Sequence, residues 1–588
     1  MRKNDIAIKI AGLAGDGSLT TGEMLSKVLK KMGLYVTTIK DFPSNIRGLP
    51  TNMTVRAKYE PVYGPKDTVD YLIAFHVANL YNHAHEVAPG GVIIYDTSVK
   101  PFPDELRRDD VFIYELPLAK KAREELGLEI IKNVVAVGIV GEVLGFKHDL
   151  VHKVIAAWFK EKGEKIIKKN IDAYELGRKL ASQYEKRDEY VIEDLGDPGR
   201  VMMVGNEAIT LGALAAGVRF EAAYPITPAS EILEMLALYL PHFNGAVVQA
   251  EDEIAAINFA LGAAYAGVRS MTSTSGPGMS LKTETFGLAY NNETPVVIVD
   301  SQRAGPSTGL PTKTEQSDVH HALFGGHGDV LRVVIAPATL EEGFYLTAEA
   351  FNLAEKYQTP VIILTEQAFA QNKFTAEPDA LDPYKVKIDR GKLIDREEAE
   401  RYAKEGKQFL RYEITEDGVS PRSIPGYPGT FFNANSNEHD ETGYTTEDID
   451  MRKRMVDKRL RKYMTALKNG DLPAPVYSGD ENAEVGIIGF GATMGPILEA
   501  MEQLKDKGIP TRFMRLRTLM PLHEDEVRDF ISKHRYVFVV ELNALGQLYN
   551  YLKRYTTEHD KLHSITKYVG QMFRPREIAE AIEKVVKG

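Results

Sequence analysis

The residues best suited to chemistry stand at strand-to-helix turns. In VVQAEDEIAAINFALGAAYAG a strand, Ala246–Gln249, meets Glu251, Asp252 and Glu253, and a helix follows with Ile254, Ile257, Leu261 and Tyr265 on one face. Acids at a helix N-terminus ordinarily serve the helix dipole. A second turn is FEAAYPITPASEI, Phe220–Ile232. Pro225 and Pro228 fix the backbone around Thr227, Pro228 favours an extended Thr227, and Ser230 is placed to cap the next helix. The result is a rigid, hydroxyl-bearing loop, Tyr224-Pro225-Ile226-Thr227-Pro228. STSGPGMSL, Ser273–Leu281, is another Gly/Ser turn. QRAGPSTGLPTKTEQSD, Gln302–Asp318, is a long polar loop holding Arg303, Thr308, Thr312 and Lys313. Cations and hydroxyls together suit an anionic ligand such as a carboxylate.

The chain begins with a different device. Ile6–Ile10 reads as a strand and Glu23–Lys31 as a helix, with Gly12, Gly15 and Gly17 between them. Backbone amides at such a turn can approach a phosphate, although the spacing G-x-x-G-x-G is not that of the dinucleotide fingerprint. Gly15-Asp16-Gly17 with Asn45, 29 positions after Asp16, also imitates a diphosphate–magnesium motif. A whole helix and strand lie between them, which argues against that use, and Ser44-Asn45-Ile46-Arg47-Gly48 reads as a basic loop. The 14 histidines show neither HExxH nor the spacing of a metal triad, so they read as structural or surface residues, and no metal site is expected in this chain.

Stepping from the turns to their supports, 588 residues with 44% hydrophobic and 26% charged side chains suit a multidomain globular protein. No window approaches the roughly 18 apolar residues of a membrane span, and MRKNDIAIKI lacks a signal-peptide pattern. A net charge of −11 disfavours nucleic-acid binding. The absence of cysteine rules out disulfides and Cys-ligated clusters within the chain. A cytoplasmic α/β protein is expected, with three parallel-sheet domains. The first, residues 1–190, has βαβ order, with strands at Tyr35–Ile39, Asp70–Phe75 and Gly91–Tyr95. The second, 200–378, has strands at Val201–Val204, Ala246–Gln249, Ser270–Thr274, Pro295–Asp300, Asp329–Ile335 and Pro360–Thr365. An irregular connector with a basic helix, 379–475, leads to the third, 480–588, with strands at Glu484–Gly489, Thr511–Leu516 and Tyr536–Glu541.

Several pieces occur together in one known family. FEAAYPITPASE, QAEDEIAA, GAAYAG, TSTSGPG, GPSTGLPTKTEQSD and ELNALGQL resemble the α subunit of 2-oxoacid:ferredoxin oxidoreductases. The unit GLAGDG…IRGLPTN resembles that family's γ subunit, fused in front of α, with Ala14-Gly15-Asp16-Gly17 and Arg47-Gly48-Leu49 where Gly-Gly-x-Gly and Arg-Gly-Gly are common. The resemblance implies a γ-like domain, a thiamine pyrimidine-binding domain and a transketolase C-terminal-like domain. It implies CoA-dependent oxidative decarboxylation of a 2-oxoacid with reduction of ferredoxin. 2-Oxoglutarate is the expected substrate, with pyruvate or a branched-chain or broader range as alternatives; a non-catalytic nucleotide-binding scaffold is the reading outside enzymology. Thiamine diphosphate would be shared with a β subunit carrying Mg2+ and a [4Fe-4S] cluster, in a dimer of heterodimers. No nucleic-acid or membrane partner is implied.

Thiamine enzymes need a carboxyl on the aminopyrimidine nitrogen, and the cofactor then serves as electron sink. The family's glutamate lies nine residues before a Gly-Ala pair, as Glu253 precedes Gly262-Ala263. By the same resemblance Thr227 bonds the substrate's oxo or carboxylate group, and Arg303 or Lys313 pairs with its carboxylate, Thr308 and Thr312 lying on the same loop. Tyr224, Pro225, Ile226 and Pro228, with the Gly12–Gly17 turn and Arg47, are candidates for the coenzyme A side.

Overall fold

The computed structural model describes residues 5–43, 49–184 and 192–588. In chain order the strands are β1 (Asp5–Leu13), β2 (Tyr35–Asp41), β3 (Pro50–Lys58), β4 (Val69–Ala74), β5 (Val87–Asp96), β6 (Phe112–Leu116), β7 (Val201–Val204), β8 (Phe220–Ala223), β9 (Ala246–Gln249), β10 (Ser270–Thr274), β11 (Val296–Gln302), β12 (Val333–Ile335), β13 (Pro360–Glu366), β14 (Lys373–Ala376), β15 (Val476–Gly479), β16 (Val485–Gly489), β17 (Thr511–Arg515), β18 (Thr518–Met520), β19 (Tyr536–Glu541) and β20 (Leu562–Thr566). They form three sheets, mostly parallel, in an α/β fold, as expected.

One compact unit combines the chain up to Met203 with Asn372–Ala380 and Arg574–Arg576. Its sheet runs β6-β5-β4-β1-β3-β2-β14-β7. The βαβ order at its start needs correction: β3 lies between β1 and β2 and runs antiparallel to both. In β3 apolar Met53, Val55 and Ala57 alternate with Asn52, Thr54 and Arg56, which hides a buried strand in the sequence. Burial of Arg56 is tolerated because its guanidinium meets Asp5 and the Gly64 carbonyl at 3.1 Å. The range 200–378 also loses its ends to this sheet. β7 closes one edge beside β14, and β14 pairs with β2 at Phe374 and Thr37, with Thr375 Oγ1 accepting from Val36 N at 2.9 Å.

The other unit comprises Val204–Gln371, Leu381–Phe573 and Glu577–Gly588. Its larger sheet runs β18-β12-β13-β11-β10-β8-β9, parallel except where β18 joins β12. β11 and β13 are buried throughout, the pattern of strands covered on both faces. The smaller sheet, β15-β17-β16-β19-β20, is parallel except for the edge strand β15. The two share one apolar core in which Ile257, Met279 and Ile298 belong with Ile488, Phe490 and Leu548.

The connector contains helices Arg396–Glu405 and Ile449–Lys468, the second at the place of the expected basic helix. Its cations point inward as well as outward: Lys458 and Lys462 are buried against Glu293, at 2.6 and 2.5 Å. Burial alone would raise the Glu293 carboxyl, but the Lys458, Lys462 and Arg411 charges hold it well below the usual carboxylate range. A group depressed in this way stabilises the fold above its unfolded pKa, about 4.3, and loses that contribution as pH falls through the folded value. Breaking such a cluster costs more than never building it. Lys458→Met is therefore expected to lower stability by about 3–5 kcal/mol, read by urea unfolding, whereas the triple change Glu293→Leu, Lys458→Met, Lys462→Met recovers most of that loss. A triple variant as unstable as the single one would show that the cluster is not the anchor of this helix.

Candidate active site

The carboxyl ends of β8, β9, β10 and β11 each contribute a turn. Beyond β9 the three acids separate in role. Asp252 is the cap of helix Glu253–Tyr265, its Oδ1 accepting from Ala255 N at 2.8 Å. Glu251 is exposed, and Glu253 is 7% exposed. With the cap supplied by Asp252, the Glu253 side chain is free of that duty, and none of the described residues donates a hydrogen bond to its carboxyl. The neighbouring turn leaves room for it: a Cβ on Gly278 would lie 2.8 Å from Glu253 Oε1 and 2.1 Å from Thr274 Oγ1. The helix face departs from expectation. Ile257 and Leu261 are buried with Ala256, Ala260 and Ala264, but Ile254 and Tyr265 are exposed.

The Tyr224–Pro228 loop is held from behind by Asn206, whose Nδ2 donates to Pro228 O at 2.8 Å and Glu231 Oε2 at 2.9 Å. Tyr224 and Pro225 are exposed, Ile226 and Thr227 are half-buried, and Pro228 is buried. Ser230 is the first residue of its helix and makes no cap; Ala229 stands at the cap position. Arg303, 6% exposed at the end of β11, donates from Nη1 to Thr227 O at 2.8 Å, while its Nε has no partner. Burial lowers the guanidinium from its ordinary value, and the Asp318 and Glu253 charges oppose this. Arg303, Thr227 and Glu253 therefore gather at one place.

Lys313 stands on the returning arm of the same loop. The loop folds back on itself, Ala304 N donating to Lys313 O and Leu310 N to Ala304 O at 3.0 and 2.9 Å. The Lys313 side chain packs at Gly570, where an added Cβ would come within 2.8 Å of it. Thr312 is buried, and Thr308 sits exposed at the tip.

Sequence reasoning missed the buried ionisable groups beneath these turns. Lys282 is fully buried and donates to Glu253 O at 3.1 Å; burial pushes it down to about 8, against the Glu253 and Glu221 charges. Burial pushes Glu221 up to about 7, opposed by its bond from Ser273 Oγ at 2.7 Å. Asp300 and Asp318 are raised by burial, Asp318 to about 7, and neither Asp300 oxygen has a partner. A charged residue inside an otherwise apolar strand, such as Glu221 in FEAA or Asp300 in VVIVDSQ, was the available signal.

In the other unit, Gly15 and Gly17 adopt left-handed backbone angles, φ 98° and 85°, which favour glycine. They line a cavity of about 410 Å³ with Ser18, Thr20, Pro43 and Thr51. Gly12 instead lies within β1, paired with Thr51. Asp16 is turned into the loop, where its carboxylate accepts from Leu13 N at 2.8 Å and meets His76 Nε2 at 3.0 Å. Burial alone would raise it, but those bonds hold it below the usual range. Asp16 is thus a brace of the turn. Arg47 and Asn45 lie outside the described residues.

Known proteins match every part of the chain. Residues 211–458 match the family described as pyruvate flavodoxin/ferredoxin oxidoreductase, thiamine diP-bdg. Residues 7–180 match pyruvate ferredoxin/flavodoxin oxidoreductase, and residues 483–578 match pyruvate:ferredoxin oxidoreductase core domain II. The subunit α of 2-oxoacid:ferredoxin oxidoreductase 2 from Aeropyrum pernix is 33% identical over 99% of this chain and 98% of its own. The 2-oxoglutarate synthase subunit KorA of Methanothermobacter thermautotrophicus is 36% identical over 65% of this chain and 97% of its own. The structure of 2-oxoglutarate:ferredoxin oxidoreductase from Magnetococcus marinus, with 2-oxoglutarate, coenzyme A and succinyl-CoA bound, superposes with a TM-score of 0.93 at 35% identity, covering 99% of this chain and all of that one.

Fold and site thus define an oxidoreductase subunit with a thiamine diphosphate-binding domain. The chain belongs to the 2-oxoacid:ferredoxin oxidoreductase family, as an α subunit with the γ-like domain fused at its start. No helix among the described residues is long and apolar enough to cross a membrane.

The space left by Gly278 gives a direct test. Alanine is the better helix former by about 1 kcal/mol, but here its Cβ must displace Glu253 or Thr274. Gly278→Ala is expected to cut turnover about tenfold or more while the unfolding temperature stays within ~2 °C. Undiminished turnover would show that the position of the Glu253 carboxyl is not critical.

Proposed function

We propose that Glu253, Thr227 and Arg303 are the working residues of this subunit and that its preferred substrate is 2-oxoglutarate. The observation that carries the reading is the buried Glu253, whose carboxyl has no donor among the described residues and so fits the protonated ring nitrogen of an aminopyrimidine. Bound there, thiamine diphosphate supplies the nucleophilic carbon and the electron sink for decarboxylation. Glu253 holds the proton at the ring nitrogen. Arg303 pairs with the substrate's C1 carboxylate, its position held by the Thr227 carbonyl, and the Thr227 hydroxyl bonds the oxo group or the same carboxylate. The choice of 2-oxoglutarate is supported by the full-length similarity to the Magnetococcus marinus enzyme.

A β subunit supplies the diphosphate and magnesium site and a cysteine-bound [4Fe-4S] cluster, this chain having no cysteine. Its docking face includes the exposed Ile254 and Phe259 on the helix that starts at Glu253. Electrons leave to ferredoxin. The cavity at Gly15 and Gly17 takes a phosphate of coenzyme A, with helix Ser18–Lys31 starting beside it. Co-expression with a partner carrying Cys-x-x-Cys, followed by methyl-viologen reduction with coenzyme A and a panel of 2-oxoacids, tests the whole: 2-oxoglutarate should give the highest kcat/KM. Pyruvate or a branched-chain acid ranking first would overturn the substrate assignment.

Two residue-level outcomes follow from the geometry. Glu253→Gln abolishes turnover in the assembled enzyme, because an amide cannot take the carboxyl's part in proton exchange, and the exposed Glu251→Gln keeps most of it; equal losses would place the working carboxyl elsewhere. Arg303→Ala raises the KM for the 2-oxoacid about tenfold to a hundredfold, the loss of a charged hydrogen bond of about 1.5–3 kcal/mol. Lys313→Ala changes it less than about threefold, since the lysine packs at Gly570 on the C-terminal side of the loop. The reverse order would identify Lys313 as the clamp.

A further inference from the structure

The loop that carries Arg303 has two anchors. Its start belongs to the larger sheet, where Gln302 Nε2 donates to Thr365 O at 3.1 Å. Its far end is held by a segment remote in sequence, the ELNALGQL stretch Glu541–Leu548. Gln316 is fully buried. Its N–H donates to Leu542 O at 2.6 Å, and its Oε1 accepts from Leu542 N at 3.1 Å. Asn543 Nδ2 donates to Gln316 O at 3.0 Å. Gln547 Nε2 donates to Ser317 O at 2.7 Å, and Gln547 Oε1 accepts from His320 N at 2.8 Å.

The segment is ordered before it reaches the loop. Glu541 accepts from Leu548 N at 2.8 Å, Tyr549 N at 2.9 Å and Asn543 Nδ2 at 2.6 Å, and Asn543 Oδ1 accepts from Gln547 N at 3.2 Å. The contact between the two sheets already has an apolar core and the β12–β18 pairing. Polar bonds cross it too, Arg515 Nη2 donating to Glu342 Oε1 at 2.7 Å and Gln316 Nε2, which also meets Glu366 Oε1 at 2.5 Å, to Phe490 O at 3.0 Å. Those of Asn543 and Gln547 go to the loop and the start of the helix after it. A short path then leads to the site: Gln316 is three residues from Lys313, whose carbonyl accepts from Ala304 N, and Ala304 follows Arg303.

We propose that Glu541–Leu548, acting through Asn543 and Gln547, is a positioning element for the 2-oxoacid site: it holds the far end of the Gln302–Asp318 loop so that Arg303 stays against Thr227. This rests on the reading of Arg303 as the partner of the substrate carboxylate. Asn543 and Gln547 touch neither substrate nor cofactor in this account; they act through the loop, so their effect belongs in substrate affinity and loop protection.

The test uses the enzyme assembled with its partner subunit and compares Gln547→Met, Gln547→Glu, His320→Ala and Arg303→Ala. Gln547→Met removes both side-chain bonds at similar volume. It is expected to raise the KM for the 2-oxoacid about fivefold, with kcat within about twofold and the KM for coenzyme A unchanged. Amide hydrogen exchange at Ala304 and Leu310 should rise by a similar factor. Gln547→Glu keeps the acceptor for His320 N and should recover part of both effects. If Gln547→Met leaves the 2-oxoacid KM and the exchange unchanged while Arg303→Ala raises the KM, the positioning role is overturned and the Arg303 reading stands. If Arg303→Ala is also silent, both fall. Should Gln547→Met fail to assemble, the exposed His320→Ala decides, since its ring meets Gln547 O at 3.0 Å: a rise of about twofold in KM and exchange supports the role, and no change in either overturns it.

Discussion

A carboxyl group taken out of water without a donor is unfavourable by about 1–3 kcal/mol until one arrives. Glu253 is 7% exposed, and the surrounding turns leave its carboxyl without a donor among the described residues. Asp252 takes over the helix cap, so the free amide of Ala255 does not draw Glu253 toward it. Lys282 holds the Glu253 carbonyl from within, and the side-chain-free turn at Gly278 gives the carboxyl its space. Arg303 adds a cation whose other duty is to grip the Thr227 carbonyl. Four strand ends, adjacent in one sheet, lead to these groups, β10 to both Gly278 and Lys282, and moving any one of them changes the environment of the same carboxyl. This is the use of a parallel sheet's carboxyl edge in physical terms: the strands fix the spacing, and the turns are free to carry polar groups that a core would reject.

The floor beneath these turns carries a stability cost of its own. Glu221 and Asp300 interrupt buried strands, and burial raises both carboxyls toward the neutral form. Lys282 is pushed the other way, toward losing its proton. An apolar side chain at any of these positions would remove the desolvation penalty. Their presence at the one edge where the turns gather, and the lack of partners for both Asp300 oxygens and for Glu221 Oε2, mark this edge as the region where the fold gives up stability for chemistry.

Much of this was legible in the sequence, and the gaps have physical causes. The turns announced themselves because Gly, Pro and hydroxyl residues follow short apolar strands, and β9, β10 and β19 fall where their apolar runs do. β3 escaped notice because its buried face includes Arg56, satisfied by partners that only the fold brings near. β7 and β14 were assigned to the second domain because proximity in sequence is the only guide a linear reading has, whereas edge pairing with β2 is decided in space. The roles of Glu251, Asp252 and Glu253 could be guessed from spacing, yet their separation into exposed, capping and buried residues is a matter of helix phase. Arg303 and Lys313 looked equivalent as two cations on one loop. The reversal of that loop, which returns the Lys313 backbone to Ala304 while its Cβ and Cγ pack at Gly570, depends on backbone bonds that leave no compositional trace.

Buried charge by itself does not mark a site in this protein. Glu293 is as deeply buried as anything at the sheet edge, yet Lys458 and Lys462 close on it from one helix, and its charge is fully answered within the chain. Glu355 likewise receives Arg269, Arg390 and Arg422. Such clusters bind connector to domain, and once their partners are in place they have no use for a ligand. Glu253 differs: its neighbours hold its backbone and its space, but none of the described residues donates to its oxygens. A ligand N–H meeting such an acceptor in low-dielectric surroundings bonds it more strongly than in water. Lys458 and Lys462, from the run of basic residues conspicuous in the sequence, thus serve structure, whereas the Glu253 carboxyl is left without a donor among the described residues.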